Sequence, residues 1–203
     1  GALGNMVNMT ELNLIDNGIG PEGAIALVEA LGKMVNMAVL VLGENAIGPE
    51  GAVALAWALG HMVDMTELYL GENGIGPKGA GALAGALVNM VKMTELCLGD
   101  NNIGPEGAGA LAGALGNMVN MTVLNLDGND IGPNGAVALA GALGLSGALG
   151  NMVNMELSLS KNDIGPEGAS VTWSTWQCLI WVRMESDRRE LVRWRWRWAT
   201  WSA

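Results

Sequence analysis

The residues of this chain that could carry out chemistry are few and widely separated. Among its 203 residues, one is a histidine, His61, and two are cysteines, Cys97 and Cys178. No Ser-His-Asp, Cys-His or metal-ligand cluster can be assembled, and neither cysteine has a neighbour at a zinc or redox spacing. No basic residue near Cys97 would lower the pKa of its thiol. We therefore expect no enzymatic activity, no metal and no cofactor.

One motif does match a phosphate-binding loop. Residues 18–23 (GIGPEG) and 74–79 (GIGPKG) both fit G-x-G-x-x-G, with which a strand-to-helix turn binds a dinucleotide. The match is incidental to a repeat, because the first glycine is not kept in the other copies. The residues at the equivalent positions are Ala46, Asn102, Asp130 and Asp163.

The repeat has a period of 28 residues and governs most of the chain. Its units open at Met9, Met37, Met65, Met93 and Met121, and a sixth opens at Met155 after a six-residue insertion around 145–150. Each unit contains L-x-L-x-x-N-x-I-G-P, followed in most units by a helix pattern close to A-x-A-L-A-x-A-L. Self-similarity at a fixed period of this length is typical of a solenoid.

Each part of the unit predicts one structural element. The alternating L-x-L predicts a short strand with inward leucines, and Gly-Pro predicts the start of a helix with one apolar stripe. The asparagine between them is expected to bond backbone groups of adjacent turns through a buried amide. The predicted ladder comprises Asn17, Asn45, Asn73, Asn101, Asn129 and Asn162.

Over residues 1–169, the pattern G-P-E-G-A-x-A-L-A-x-A-L resembles the leucine-rich repeats of ribonuclease inhibitors and NOD-like receptors. The resemblance implies an α/β horseshoe, with a parallel sheet on the concave face and helices on the convex face. Each unit of such a solenoid buries its core against its neighbours. The resemblance also implies a scaffold for protein–protein interaction.

Charge restricts the partner. Residues 1–170 carry four Lys, no Arg and 17 acids, a net charge of −13. This balance disfavours nucleic acid and anionic membranes, so the expected partner is a neutral or basic protein.

The strand residues that flank and separate the two leucines are predicted to form the binding surface. In order of units they are Glu11, Asn13, Ile15; Val39, Val41, Gly43; Glu67, Tyr69, Gly71; Glu95, Cys97, Gly99; Val123, Asn125, Asp127; and Glu156, Ser158, Ser160. A central aromatic residue beside acids suits a basic partner. The predicted binding residues are Glu67, Tyr69, Glu95 and Cys97, with Glu72 and Asp100 at the rim.

Two other functional interpretations stay open. The chain is similar to regulators of enzymes, and the ribonuclease-inhibitor likeness implies inhibition of a basic enzyme, which the acidic charge fits. Ran-GTPase activators carry similar repeats, but arginine-finger activation needs an Arg, and residues 1–170 contain none. The other interpretation is a gene fragment with no selected function.

Residues 170–203 form a Trp- and Arg-rich tail with seven of the eight Trp and all six Arg. Such a segment could bind a membrane surface, bind single-stranded nucleic acid or form a capping strand. Yet the Thr-Trp-Ser at 172–174 recurs at 200–202, one repeat period later. Codons for a leucine-rich unit, read one base late, give residues 176–203. We interpret the tail as an out-of-frame seventh unit with poor order.

No basic-then-apolar leader opens the chain and no run reaches the apolar length of a membrane span. The expected location is therefore the cytoplasm. The chain begins in mid-unit, GALGNMVN being the end of a helix. This start indicates a piece of a longer array without an N-terminal cap.

Overall fold

The computed structural model describes residues 6–145, 155–166, 168 and 181–183. Strands of three residues alternate with helices through the first five units. The elements are β1 (Glu11–Asn13), α1 (Gly20–Leu31), β2 (Val39–Val41), α2 (Gly48–Leu59), β3 (Glu67–Tyr69), α3 (Gly76–Leu87), β4 (Glu95–Cys97), α4 (Gly104–Leu115), β5 (Val123–Asn125), α5 (Gly132–Leu145), β6 (Glu156–Ser158) and β7 (Trp181–Arg183).

The strands form a single parallel sheet in the order of the sequence. Parallel neighbours need a crossover connection, which the helix of each unit provides. The register follows the repeat, so that Leu40 of β2 lies beside Leu68 of β3, and Leu68 beside Leu96 of β4. The predicted α/β leucine-rich solenoid is confirmed.

The core lies between the sheet and the helices. The central leucine of each strand points into it, and Leu40, Leu68 and Leu96 are fully buried. The methionine that opens each unit belongs to the same core, as Met65 illustrates. In the first unit Leu14 is only partly buried, because no described unit packs on its outer side. Each unit is thus completed by the unit before it.

Glycine lets neighbouring helices approach closely at one position of each unit. A Cβ on Gly79 of α3 would lie 2.6 Å from Cγ2 of Ile75 and 2.8 Å from Cβ of Ala52 on α2. Gly81, two residues further along the same helix, has nothing within 4 Å of that point. The helix therefore needs glycine on the inner face and not on the outer one.

The tail contributes one described element. β7 pairs with β6 in parallel, and Val182 lies beside Leu157 at the position of the leucine row. The other tail residues, and with them the interpretation as an out-of-frame unit, lie outside the described residues. Among the described helices, none combines the length and apolar character needed to cross a membrane.

Candidate functional site

The asparagine ladder fixes the loops that border the concave face. In Asn73, Oδ1 accepts hydrogen bonds from the backbone N–H groups of Asn45 (3.1 Å) and Ile47 (3.3 Å) in the preceding unit. Its Nδ2 donates to the carbonyl oxygens of Leu42 and Leu70 at 2.9 Å and of Gly71 at 3.1 Å. One buried side chain thereby joins two units at the ends of their strands.

The ladder has an exposed end. The five asparagines from Asn45 onward are buried, and their Oδ1 atoms all accept from the preceding unit. Asn17 is exposed. Among the described residues, its side chain makes one hydrogen bond, from Nδ2 to the carbonyl of Ile15 at 2.9 Å. The sequence analysis did not distinguish this terminal position from the others.

Tyr69 lies at the centre of the concave face, between Val41 of β2 and Cys97 of β4. Its hydroxyl donates to Glu95 Oε2 at 2.6 Å and lies 3.0 Å from Glu67 Oε2. The hydrogen bond to Glu95 raises the pKa of Tyr69, and burial and the second carboxylate add to the effect. The neutral hydroxyl therefore donates to one carboxylate and lies within hydrogen-bond distance of the other.

Glu67 and Glu95 are direct neighbours across β3 and β4. Like charges opposite one another in adjacent strands repel. The ion pairs found in the described part of the chain use Glu29, Glu50 and Asp64, so no cation there neutralises this pair. Glu67 and Glu95 therefore lie side by side without an ion-pair partner among the described residues.

Cys97 occupies the same row as Tyr69 on the next strand. Its thiol is free and its side chain is half-buried. Burial raises the pKa of Cys97 to about 11, and the charges of Glu95 and Glu156 act in the same direction. The thiol is neutral at physiological pH, which makes it a poor nucleophile.

Glu72 and Asp100 lie at the rim, three residues after the end of their strands. Both are exposed and have left-handed backbones, with φ of 56° and 54°. Their N–H groups donate to the carbonyl oxygens of Gly99 and Asp127 in the next unit. No hydrogen bond joins either side chain to Tyr69, so the structure brings together Glu67, Tyr69 and Glu95 and leaves these two acids at the border.

Gly71, two residues after Tyr69, leaves a gap between the side chains of the concave face. A Cβ there would meet only the carbonyl oxygen of Gly99, at 3.5 Å. The glycines in the same row on either side are buried: the side chain of Ile15 approaches Gly43, and that of Asn125 approaches Gly99. The backbone of Gly71 is therefore accessible between two side chains.

Asp127 is a structured part of the face that the sequence analysis did not single out. Ser158 Oγ lies 2.7 Å and 2.8 Å from its two carboxylate oxygens, and the N–H of Ser160 donates to Oδ1 at 2.6 Å. The sequence analysis placed these residues at neighbouring positions of the fifth and sixth units, but repeat spacing alone does not show that they bond. Asp127 is thus bonded to two residues of the sixth unit.

The apparent phosphate loop has a structural explanation. Gly18 and Gly20 have left-handed backbones, and Ala46, equivalent to Gly18, has the same conformation with φ of 50°. The third glycine, Gly23, packs against Ile19. A Cβ at Gly23 would lie 2.8 Å from Cγ2 of Ile19, which is too close for a side chain. The glycines thus serve the turn and the helix packing.

The other chemically versatile residues do not form a site. His61 is exposed at the end of α2, with its ring 4.8 Å from that of Trp57 and its Nδ1 hydrogen-bonded to the Trp57 carbonyl. Within the described ranges, no group of three or more His, Cys, Asp or Glu residues is arranged to hold a metal.

Comparison with known proteins identifies the repeat. A family model described as Leucine Rich repeat matches residues 5–28, 35–56, 61–84, 89–112, 117–140 and 155–171. Among solved structures, an internalin from Listeria monocytogenes aligns with 15% identity and a TM-score of 0.37, over 92% of this chain and 64% of that chain. This chain therefore spans less than two thirds of the internalin's length. No curated protein matches the sequence.

Proposed function

This chain belongs to the leucine-rich repeat family, and on that premise we propose that it binds a basic protein partner on its concave face. The observation that carries the proposal is the cluster of Glu67, Tyr69 and Glu95. In it, the hydroxyl of an aromatic side chain lies within hydrogen-bond distance of two carboxylates, and no cation of the described residues pairs with either. We call these three residues the acidic centre.

The acidic centre suits a Lys or Arg side chain. A cation is attracted by the face of an aromatic ring as well as by carboxylates. A charged group that approaches Glu67 and Glu95 also relieves their mutual repulsion across the strands. Because the Tyr69 hydroxyl already holds the Glu95 carboxylate, less freedom of that side chain is lost on binding.

The surroundings favour a segment of chain rather than an isolated charge. The opening at Gly71 lets a partner's backbone come close beside the ring. Glu72 and Asp100 line the rim on one side of it, and their exposed carboxylates add long-range attraction that speeds association. An inhibitor of a basic enzyme would use this same surface.

The proposal is tested with a fluorescent peptide of alternating Lys and Ser and with its Glu-for-Lys counterpart. Anisotropy titrations use the full chain at an ionic strength of about 0.15 M, where distant surface charges are screened. The double variant Glu67→Gln/Glu95→Gln keeps the shape of the acidic centre and removes its charge. Glu22→Gln/Glu106→Gln, on the helices α1 and α4, removes the same total charge elsewhere.

We expect the Lys peptide alone to bind, and the acidic-centre variant to lose roughly tenfold or more in affinity, since close charge pairs couple by about 1.5 kcal/mol or more. The helix variant should lose much less. Equal losses in the two variants would show that only net charge matters and would refute the site. Absence of binding even at low salt would refute the basic partner.

A further inference from the structure

Backbone N–H groups open onto the concave face at the residue that lies two positions after each strand. In the fifth unit the N–H of Asp127 donates to Oδ1 of Asn125 at 2.9 Å, and in the first unit the N–H of Ile15 donates to Oδ1 of Asn13 at 3.0 Å. Both asparagines lie in the same row of the sheet as Tyr69. Because that row is on the concave face, these N–H groups can be reached from it.

In the sixth unit the acceptor comes from the neighbouring unit instead. The N–H of Ser160 donates to Oδ1 of Asp127 at 2.6 Å, and Asp127 occupies in the fifth unit the position that Ser160 occupies in the sixth. A side-chain oxygen at this position therefore accepts from the N–H one unit further along the solenoid. Gly43 and Gly71 stand in the same relation, since each follows its strand by two residues.

The N–H of Gly71 has neither kind of acceptor. The residue two positions before it is Tyr69, whose hydroxyl donates to Glu95, and the preceding unit offers Gly43, which has no side chain. Among the described residues, the Gly71 N–H donates no hydrogen bond. The N–H groups of Gly43 and Gly99 are unpaired there too, but both residues are buried, whereas Gly71 is partly exposed. Gly71 therefore offers a donor to a partner.

A partner that covers Gly71 must supply the acceptor, because a buried N–H without one is costly. Lys and Arg side chains carry donors only. A carboxylate would be repelled by the acidic centre and by Glu72, the next residue along the chain. A neutral oxygen fits, and every residue of a basic segment supplies one as its backbone carbonyl.

We infer that an extended basic segment binds with one backbone carbonyl oxygen on the Gly71 N–H and with a Lys or Arg side chain at the acidic centre. The inference rests on the proposed function and adds a main-chain contact to it. Gly71 lies two residues beyond Tyr69, about 7 Å along the strand direction, which a Lys or Arg side chain spans from its own backbone. The main-chain bond contributes affinity, and the acidic centre selects the side chain.

The test is an NMR titration of the isotope-labelled full chain with the Lys-Ser peptide. Shifts of the Glu67 and Glu95 amide signals report occupancy of the acidic centre. The rate at which the Gly71 N–H exchanges with water reports the acceptor. We expect bound peptide to slow this exchange at least about tenfold, since a hydrogen-bonded amide exchanges only when it opens. Shifts at the acidic centre without slower exchange at Gly71 would overturn the inference and leave the proposed function standing, whereas no response at either place would refute both.

Gly43→Asn gives the chain an acceptor of its own, in the relation that Asp127 has to Ser160. The variant should fold, because the Gly43 backbone is not left-handed and a Cβ there has only ordinary contacts, at 3.6 Å. We expect slow exchange at Gly71 without peptide, and roughly threefold to tenfold weaker peptide binding, which corresponds to about one hydrogen bond.

Gly43→Ala is the matched control, because it adds a Cβ at the same position without an acceptor. Exchange at Gly71 and affinity for the peptide should both stay within about twofold of the parent. Equal losses of affinity in the two variants would show that bulk, and not the acceptor, weakens binding, and would overturn the inference.

Discussion

Replacing Asn101 with alanine should be among the most destabilising single changes in the chain. Its Oδ1 accepts hydrogen bonds from the N–H groups of Asn73 (3.0 Å) and Ile75 (3.3 Å), and all these groups are buried. Its Nδ2 donates to the carbonyls of Leu70, Leu98 and Gly99. Alanine leaves both N–H donors without acceptors in the core.

The magnitude follows from these two donors. A buried donor without a partner costs about 1–3 kcal/mol, so Asn101→Ala should lower the free energy of unfolding by about 2–6 kcal/mol. Small domains have a total stability of about 5–15 kcal/mol, so the effect is a large share of it. Asn17→Ala is the matched control: it removes one exposed hydrogen bond and should cost less than about 1 kcal/mol.

Urea denaturation of the full chain, followed by circular dichroism, measures both variants against the parent. Failure of Asn101→Ala to fold while Asn17→Ala folds normally agrees with the expected order. Equal shifts of the midpoint in the two variants would refute the reasoning, because it would mean that ladder position does not matter.

Two further predictions concern packing and pH. Gly79→Ala should destabilise the chain by about 1–3 kcal/mol through overpacking against Ile75. Gly81→Ala, in open space on the same helix, should stabilise it by about 0.5–1 kcal/mol. Melting temperatures that shift in the same direction in both variants would contradict this prediction. In a Cys178→Ser background, alkylation of Cys97 should keep accelerating up to about pH 11, since its thiol ionises only there; a rate that levels off near pH 9 would contradict it.

Local rules were sufficient to predict the solenoid from sequence. The L-x-L pattern, the following asparagine and the Gly-Pro pair each specify one element, and the period of 28 residues sets the strand register, as with Leu40 and Leu68. Each unit contacts mainly its neighbours, so the fold follows from the structure of one unit and its packing on the next. The predicted helices begin within a residue of the proline in every case that the structure describes in full.

The site was less predictable, because it depends on side-chain conformation. Sequence placed Glu67, Tyr69 and Glu95 on one face but could not show that one hydroxyl lies within hydrogen-bond distance of both acids. It also treated Asn17 as equivalent to Asn73, although within the described residues only Asn73 accepts hydrogen bonds from a preceding unit. Repeat periodicity predicts the structure that all units have in common. The differences between units arise from the hydrogen bonds and side-chain contacts that adjacent units make with them.

The central claim is that the concave face binds a basic segment, and protection of Cys97 tests it most directly. The Cys178→Ser chain is treated with a small thiol reagent, with and without saturating Lys-Ser peptide. A second chain carries its thiol on the helix side through Gly81→Cys, with Cys97→Ser and Cys178→Ser. We predict that bound peptide slows modification of Cys97 and leaves the Gly81→Cys thiol unaffected. Binding that leaves Cys97 as reactive as before, or that protects the helix-side thiol instead, would contradict the proposal.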